Sequence, residues 1–172
     1  STFISTSLVG VLGNYNLILH QVYYFITQIF SATSASVGNL AAIESPERQY
    51  NVFRKLTFLC FWICCFCCCM LVNLLTPFVN IWQSGKYNLS SIVVILLVID
   101  LFMKGRQSPV SSFRTSNGLF QQGKYRPLIM AIINIVVSII LAREIGLSGV
   151  LFGTVFSRLV TQSWFDPLLI YK

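Results

Sequence analysis

The chain has 172 residues, of which 55% are hydrophobic and only 10% are charged, and its formal net charge at pH 7 is +7. An ordinary soluble domain carries roughly 25% charged residues, so this composition excludes a typical water-exposed fold. We predict an all-α, polytopic transmembrane helix bundle with about five complete spans and one partial N-terminal span, because helices satisfy their own backbone groups in a bilayer.

The N-terminal 43 residues contain no Asp, Glu, Lys or Arg. A partial span, residues 2–12, is predicted to end near Gly10 and Gly13. A long helix is predicted from about residue 14 to residue 43, closing where Pro46 disfavours helix at the preceding residue.

The long helix carries a stripe of polar and small side chains at alternating steps of three and four residues: Asn14, Leu17, Gln21, Tyr24, Gln28, Ser31, Ala35, Gly38 and Ala42. In a membrane such a stripe either packs against neighbouring helices or lines a wet cavity. Gln21, Tyr24 and Gln28 are large for a tight helix contact, which favours the wet cavity and makes both glutamines candidate site residues.

The second span is predicted over residues 51–76, with Pro77 following, and it holds all six cysteines in the stretch FLCFWICCFCCCM, residues 58–70. Structural zinc normally needs paired ligands in a tight loop, and a disulfide needs a partner cysteine on another segment. S-acylation at Cys60 is one alternative. We favour the interpretation that these cysteines act as small apolar side chains that pack well.

The third span is predicted over residues 89–103, which reach only about 22 Å along a helix and fall short of a core of about 30 Å. It is predicted to continue past Asp100 and Lys104, with a kink near Pro109. Asp100 is a candidate site residue or the partner of an intramembrane cation.

The fourth span is predicted over residues 127–142, with Pro127 at the first helical position, and Asn134 on it is a candidate for hydrogen bonding to substrate or to a neighbouring helix. The fifth span is predicted over residues 147–165. Gly149 and Gly153 begin a face of small residues there, a pattern typical of close helix contacts.

Arg158 lies near the middle of the fifth span. A central arginine costs at least about 2.5–3.5 kcal/mol on insertion scales, so it normally faces protein or water. It is either the main candidate substrate-binding residue or the structural partner of Asp100.

Basic residues set the predicted orientation, because they concentrate on the cytoplasmic side of membrane proteins. They cluster in loops 44–55 and 104–126 and at Lys172, whereas only Lys86 and Arg143 occupy the opposite loops. We therefore predict that both basic loops and the C-terminal end are cytoplasmic. This clustering explains the positive charge without a nucleic-acid partner. The basic residues of loop 104–126 set topology or, alternatively, gather an anionic lipid headgroup.

The sequence contains no nucleotide-binding loop, no HExxH and no GxSxG pattern. We therefore predict no enzymatic activity, no cofactor and no metal. A membrane glycosyltransferase or polymerase would need a catalytic carboxylate or histidine on a large external loop, and the external loops are short.

An ordered set of short motifs runs along the chain: SASVGNLAA (34–42), GLF (118–120), GKYRP (123–127), IIN (132–134), GLSG (146–149), GT (153–154) and WFDP (164–167). In this order and spacing they resemble bacterial Wzx-type polysaccharide flippases, of the superfamily that also contains the multidrug extruders. The resemblance implies that residues 1–172 form a single transmembrane domain, a piece of the second helical bundle of a larger transporter in the bacterial inner membrane.

The resemblance further implies translocation of an undecaprenyl-diphosphate-linked oligosaccharide for O-antigen or capsule synthesis. It implies a cationic central cavity, with Arg158 and then Asp100 in it, and partners among membrane lipids, polysaccharide polymerases and glycosyltransferases. Two alternatives stay open: a multidrug-type exporter, and a non-transporting multi-span scaffold subunit.

Overall fold

The computed structural model describes residues 6–82, 88–116 and 125–170, with side chains described at 9–40, 42–82, 88–116 and 125–162. These residues form seven α-helices and no strand, which confirms the all-helical prediction for this part of the chain. The helices are α1 (Thr6–Ala32), α2 (Ser34–Ile43), α3 (Pro46–Trp82), α4 (Ser91–Arg106), α5 (Ser108–Ser116), α6 (Arg126–Ile145) and α7 (Leu147–Ile170).

The predicted break near Gly10 and Gly13 is wrong, because α1 runs through both glycines. A glycine inside a helix costs only about 1 kcal/mol relative to alanine, and the buried side chain of Tyr15 anchors this part of α1 in the core. The break falls instead at Thr33, whose hydroxyl donates a hydrogen bond to the Phe30 carbonyl oxygen at 2.7 Å. A side chain that bonds the local backbone in this way competes with the helical ladder.

The prolines have three different outcomes. Ser45, before Pro46, lies outside the helices, as predicted, but α3 begins at Pro46 rather than near residue 51. Pro77 does not end the second span: it lies inside α3, where Leu75 and Val79 on either side of it are buried and hold the turn in place. The kink predicted near Pro109 is present as a break at Gln107 between α4 and α5.

Helix α4 lies at the centre of the fold, in contact with α1, α3, α5 and α7. Its buried side chains share one apolar core with α1 and α3: Val11, Tyr15, Leu19, Leu75, Val79, Leu89, Val93, Val94, Leu97, Val98 and Leu101. Helix α4 therefore contributes side chains to the contacts with four other helices, and its charged residues Asp100 and Lys104 line a cavity beside α1 and α7.

The cysteines divide according to the face of α3 on which they lie. Cys60 and Cys64 are buried against α4, and the Cys60 thiol is 3.3 Å from the Gly105 carbonyl oxygen. Cys65 and Cys69 are exposed. The packing interpretation therefore holds for Cys60 and Cys64, and S-acylation at Cys60 is contradicted because its sulfur is fully enclosed.

Helices α6 and α7 form a tight antiparallel hairpin. Gly146 joins them with a φ of 59°, a conformation that L side chains rarely adopt. A Cβ atom on Gly149 would overlap the backbone of Leu141, and one on Gly153 would overlap Ser138. The small face predicted from the sequence is thus a helix contact.

Two helices in the described part of the chain are long and apolar enough to cross a membrane, α3 and α6. Only 17% of the most apolar window of α3 is buried, and none of that of α6, whereas a core helix of a soluble protein would be mostly buried. The five predicted spans are not confirmed. At 16 residues α4 is short of a span, and polar side chains interrupt α1 and α7.

Candidate binding site

A cavity of about 470 Å³ lies where α1, α4 and α7 meet. Its lining comprises Asn16, Leu19, His20 and Tyr23 from α1, Leu97, Asp100, Leu101 and Lys104 from α4, and Arg158 from α7. The four lining residues on α1 are spaced three and four residues apart, and so are the four on α4. Each set therefore occupies one face of its helix. We call this cavity the α1–α4–α7 pocket.

Three charged groups meet in the pocket. The Nε atom of Arg158 lies 2.6 Å from Oδ1 of Asp100. The Nζ atom of Lys104 lies 2.6 Å from Oδ2 of the same carboxylate. The Arg158 and Asp100 atoms are close but are not aligned as a hydrogen bond, so this contact is an ion pair rather than a directed bond. One carboxylate therefore bridges two cations from different helices.

Burial strengthens these interactions. The side chains of Asp100 and Arg158 are only 14% and 19% exposed, whereas that of Lys104 is 39% exposed. Charges in a partly buried site interact more strongly than they do in water. Removing one partner of such a pair leaves an uncompensated charge. Two cations against one carboxylate leave a positive excess, which favours an anionic ligand.

Two of the five predicted site residues meet in this pocket. Arg158 and Asp100 form the predicted pair, and both line the cavity. Gln21 and Gln28 do not line it, because they are exposed on a different face of α1. The amide of Gln28 donates to the Tyr24 hydroxyl at 2.6 Å. The binding roles of both glutamines stay predictions.

Asn134, the fifth predicted site residue, lies in the contact between α6 and α7. Its amide is 3.4 Å from the Thr154 hydroxyl, and its oxygen accepts from Ser138 at 2.8 Å. This is the placement expected of a residue that bonds a neighbouring helix, and its role toward substrate stays a prediction.

Sequence reasoning missed three polar residues of the pocket. The sequence pattern assigns Lys104 to a basic cluster that sets topology or gathers an anionic lipid headgroup, and it singles out neither Asn16 nor Tyr23. The spacing of Asn16, His20 and Tyr23 is a signal that could have found them, because it places a second polar face on α1 beside the predicted polar stripe. The packing of α1 against α4 determines which of these two polar faces points to the interior.

No family model matches the chain, and no curated protein or solved structure matches it either. The flippase resemblance therefore rests on the sequence motifs. Of these, GLF (118–120) and part of GKYRP fall outside the described residues, as do the basic residues Lys86, Lys124 and Lys172.

Proposed function

We propose that this chain is part of a multi-pass transporter in the bacterial inner membrane that moves undecaprenyl-diphosphate-linked oligosaccharide units to the outer leaflet. In this proposal α1, α3, α4, α6 and α7 carry the five spans. Loops 44–55 and 104–126 and the C-terminal end then lie in the cytoplasm.

One observation carries the proposal: the α1–α4–α7 pocket encloses two cations against one carboxylate, beside helices whose exposed surfaces are apolar. A diphosphate cannot cross hydrocarbon without compensation for the loss of its hydration. Arginine offers it charge-assisted hydrogen bonds, and lysine adds a second positive charge. The prenyl chain of such a substrate can stay in the lipid.

In the proposed cycle Asp100 neutralises Arg158 and Lys104 while the pocket is empty. An arriving diphosphate competes with Asp100 for the same two cations, so binding exchanges one anion for another and leaves no cation bare. Asn16, His20 and Tyr23 line the same pocket, and in this proposal they hydrogen-bond groups near the phosphates. No covalent bond is made or broken, which agrees with the absence of an enzyme motif.

The test is export of cell-surface polysaccharide by cells that depend on the gene encoding this chain. We expect Arg158→Ala to reduce export about 10- to 100-fold, the range for loss of a hydrogen bond to a charged group. Arg158→Lys should recover part of it. The matched control is Arg143→Ala, an exposed arginine at the end of α6, which should leave export unchanged.

Membrane insertion of each variant is measured in parallel, by carbonate extraction and immunoblotting. Normal export by inserted Arg158→Ala would show that the pocket does not serve transport. Loss of export with Arg143→Ala as well would point to a general effect of positive charge.

A scaffold subunit is the second candidate, and the ion pair itself favours it, because Asp100 and Arg158 already compensate each other. The double variant Asp100→Leu, Arg158→Met separates the two functions. Replacing both partners of a buried pair by apolar side chains of similar volume is often neutral for stability, and the remaining cation, Lys104, is 39% exposed to solvent. A scaffold should then keep its function, whereas a transporter should insert normally and fail to export.

A further inference from the structure

A second cavity, of about 360 Å³, lies between the N-terminal part of α3 and the C-terminal end of α4. The transport proposal makes no use of it. Its lining comprises Tyr50, Phe53, Arg54, Thr57, Phe58, Phe61 and Arg106. We call it the arginine–aromatic pocket.

Two guanidinium groups, those of Arg54 and Arg106, line this pocket without an acidic partner in the described part of the chain. The hydroxyl oxygen of Thr57 is buried there and has no hydrogen-bond partner among the described residues. Buried hydroxyls normally have a partner. Two arginine forks and a hydroxyl suit an anion with several acceptor oxygens, and phosphate has this geometry.

The aromatic walls indicate a phosphate that carries an apolar tail. Phe58 and Phe61 lie one and two helical turns beyond Arg54, toward the apolar middle of α3, and are 64% and 45% exposed. The ring of Phe61 packs edge-to-face on Phe102 of α4, with centroids 5.8 Å apart. A free phosphate would gain nothing from these rings, whereas an acyl chain would bury against them.

We propose that the arginine–aromatic pocket binds the phosphate of an anionic phospholipid such as phosphatidylglycerol, with its acyl chains along Phe58 and Phe61. Two uncompensated cations favour a headgroup with net negative charge over a zwitterionic one. The proposal depends on α3 crossing the membrane, and it is independent of which substrate the α1–α4–α7 pocket takes.

Native mass spectrometry of the purified chain, released from neutral detergent after incubation with defined lipids, tests this directly. The wild type should retain phosphatidylglycerol about tenfold more than phosphatidylcholine, which corresponds to about 1.4 kcal/mol. The double variant Arg54→Gln, Arg106→Gln should bind the two lipids equally. Soluble glycerol 3-phosphate at the same concentration should not displace phosphatidylglycerol.

Lys55→Gln is the matched control, because Lys55 is the next residue in the chain, is exposed and does not line the pocket. It should retain the wild-type preference. Lipid retention is measured separately from polysaccharide export, so that failure of transport and failure of lipid binding are separate results. The double variant Arg54→Lys, Arg106→Lys keeps both charges and should keep part of the preference, and far-UV circular dichroism checks that every variant is helical.

Three outcomes would overturn the proposal. The first is an unchanged preference in the helical Arg54→Gln, Arg106→Gln variant. The second is an equal loss with Lys55→Gln, which would mean that diffuse surface charge attracts the lipid. The third is displacement by glycerol 3-phosphate, which would make the pocket a site for free phosphate esters.

Discussion

Gly105 lies near the C-terminal end of α4, against the buried sulfur atoms of α3. A Cβ atom at this position would come within 2.7 Å of Cys64 Sγ, closer than real contacts allow. The cysteines at 60 and 64 thus fill a space that a larger apolar side chain could not share with α4. The space left by Gly105 explains why two of the six cysteines, Cys60 and Cys64, are buried. It does not account for the other four cysteines.

We expect Gly105→Ala to lower the free energy of unfolding by on the order of 1 kcal/mol. Overpacking costs about 1–3 kcal/mol, and the better helix propensity of alanine offsets up to about 1 kcal/mol of it. Unfolding in mixed detergent micelles measures the change. Gly10→Ala is the control, because nothing lies within 4 Å of its Cβ position, and it should be stabilising.

The Cys64→Ala background makes this prediction sharper, because it removes the sulfur that the new methyl group meets. In that background Gly105→Ala should change sign and become stabilising. If it destabilises both backgrounds equally, the contact with Cys64 is not the cause.

At the scale of the elements, the α6–α7 hairpin and the α3–α4 contact each contain a glycine with no room for a Cβ atom. They differ in the atoms that an added Cβ would meet. At Gly153 the nearest atoms include the backbone nitrogen and Cα of Ser138, 2.9 and 3.0 Å from an added Cβ. A side chain can rotate away, but a helix backbone can move only if the two helices separate. The hairpin is therefore the less tolerant of the two contacts.

Gly153→Ala should accordingly destabilise the chain by about 1–3 kcal/mol, measured in the same detergent unfolding assay. The Ser138→Ala background should not restore stability, because it leaves the opposing backbone in place. Gly13→Ala, in open space on α1, is the matched control. Full rescue by Ser138→Ala would show that only the hydroxyl opposes the methyl group.

The elements that sequence predicted well are those whose boundaries depend on local chemistry. Pro127 lies in the first turn of α6, and Pro46 keeps Ser45 out of the helices on either side of it. Pro77 and the glycines of α1 were misjudged because tertiary packing outweighs their local penalties. The break at Thr33 has no equally clear signal in the sequence.

The candidate site was predictable only in part, for a related reason. Arg158 and Asp100 stand out because charges are rare in apolar segments, and their pairing could be anticipated. The contribution of α1 could not, because Gln21 and Gln28 on one face and Asn16 and His20 on another are similarly polar. Only the packing of α1 on α4 decides which face meets the charges.

At the scale of the whole molecule, the number of membrane crossings is the property that most needs measurement. Single cysteines at Glu47, Thr115 and Glu144, in a background without the native cysteines, can be labelled with a membrane-impermeant maleimide. We expect positions 47 and 115 to label from one side of the membrane and position 144 from the other. The reason is that both α3 and α4 would cross between 47 and 115, and α6 would cross before 144.

Labelling of intact spheroplasts and of inside-out vesicles gives the two sides separately. If positions 47 and 115 label from opposite sides, one of α3 and α4 does not cross, and the five-span arrangement is wrong. If position 144 labels together with position 115, α6 does not cross. Proteinase protection of a C-terminal tag provides an independent measure of orientation.

Helix α4 carries residues of both cavities: Asp100 and Lys104 line one, and Arg106 lines the other. Asp100 and Arg106 are six residues apart, about 9 Å along a helix, and a Cβ atom on the intervening Gly105 would lie 2.7 Å from Cys64 Sγ. If α4 rocks in the proposed transport cycle, a movement of Asp100 would carry Arg106 with it. The annular lipids bound at Arg106, as proposed, would then be displaced in each cycle.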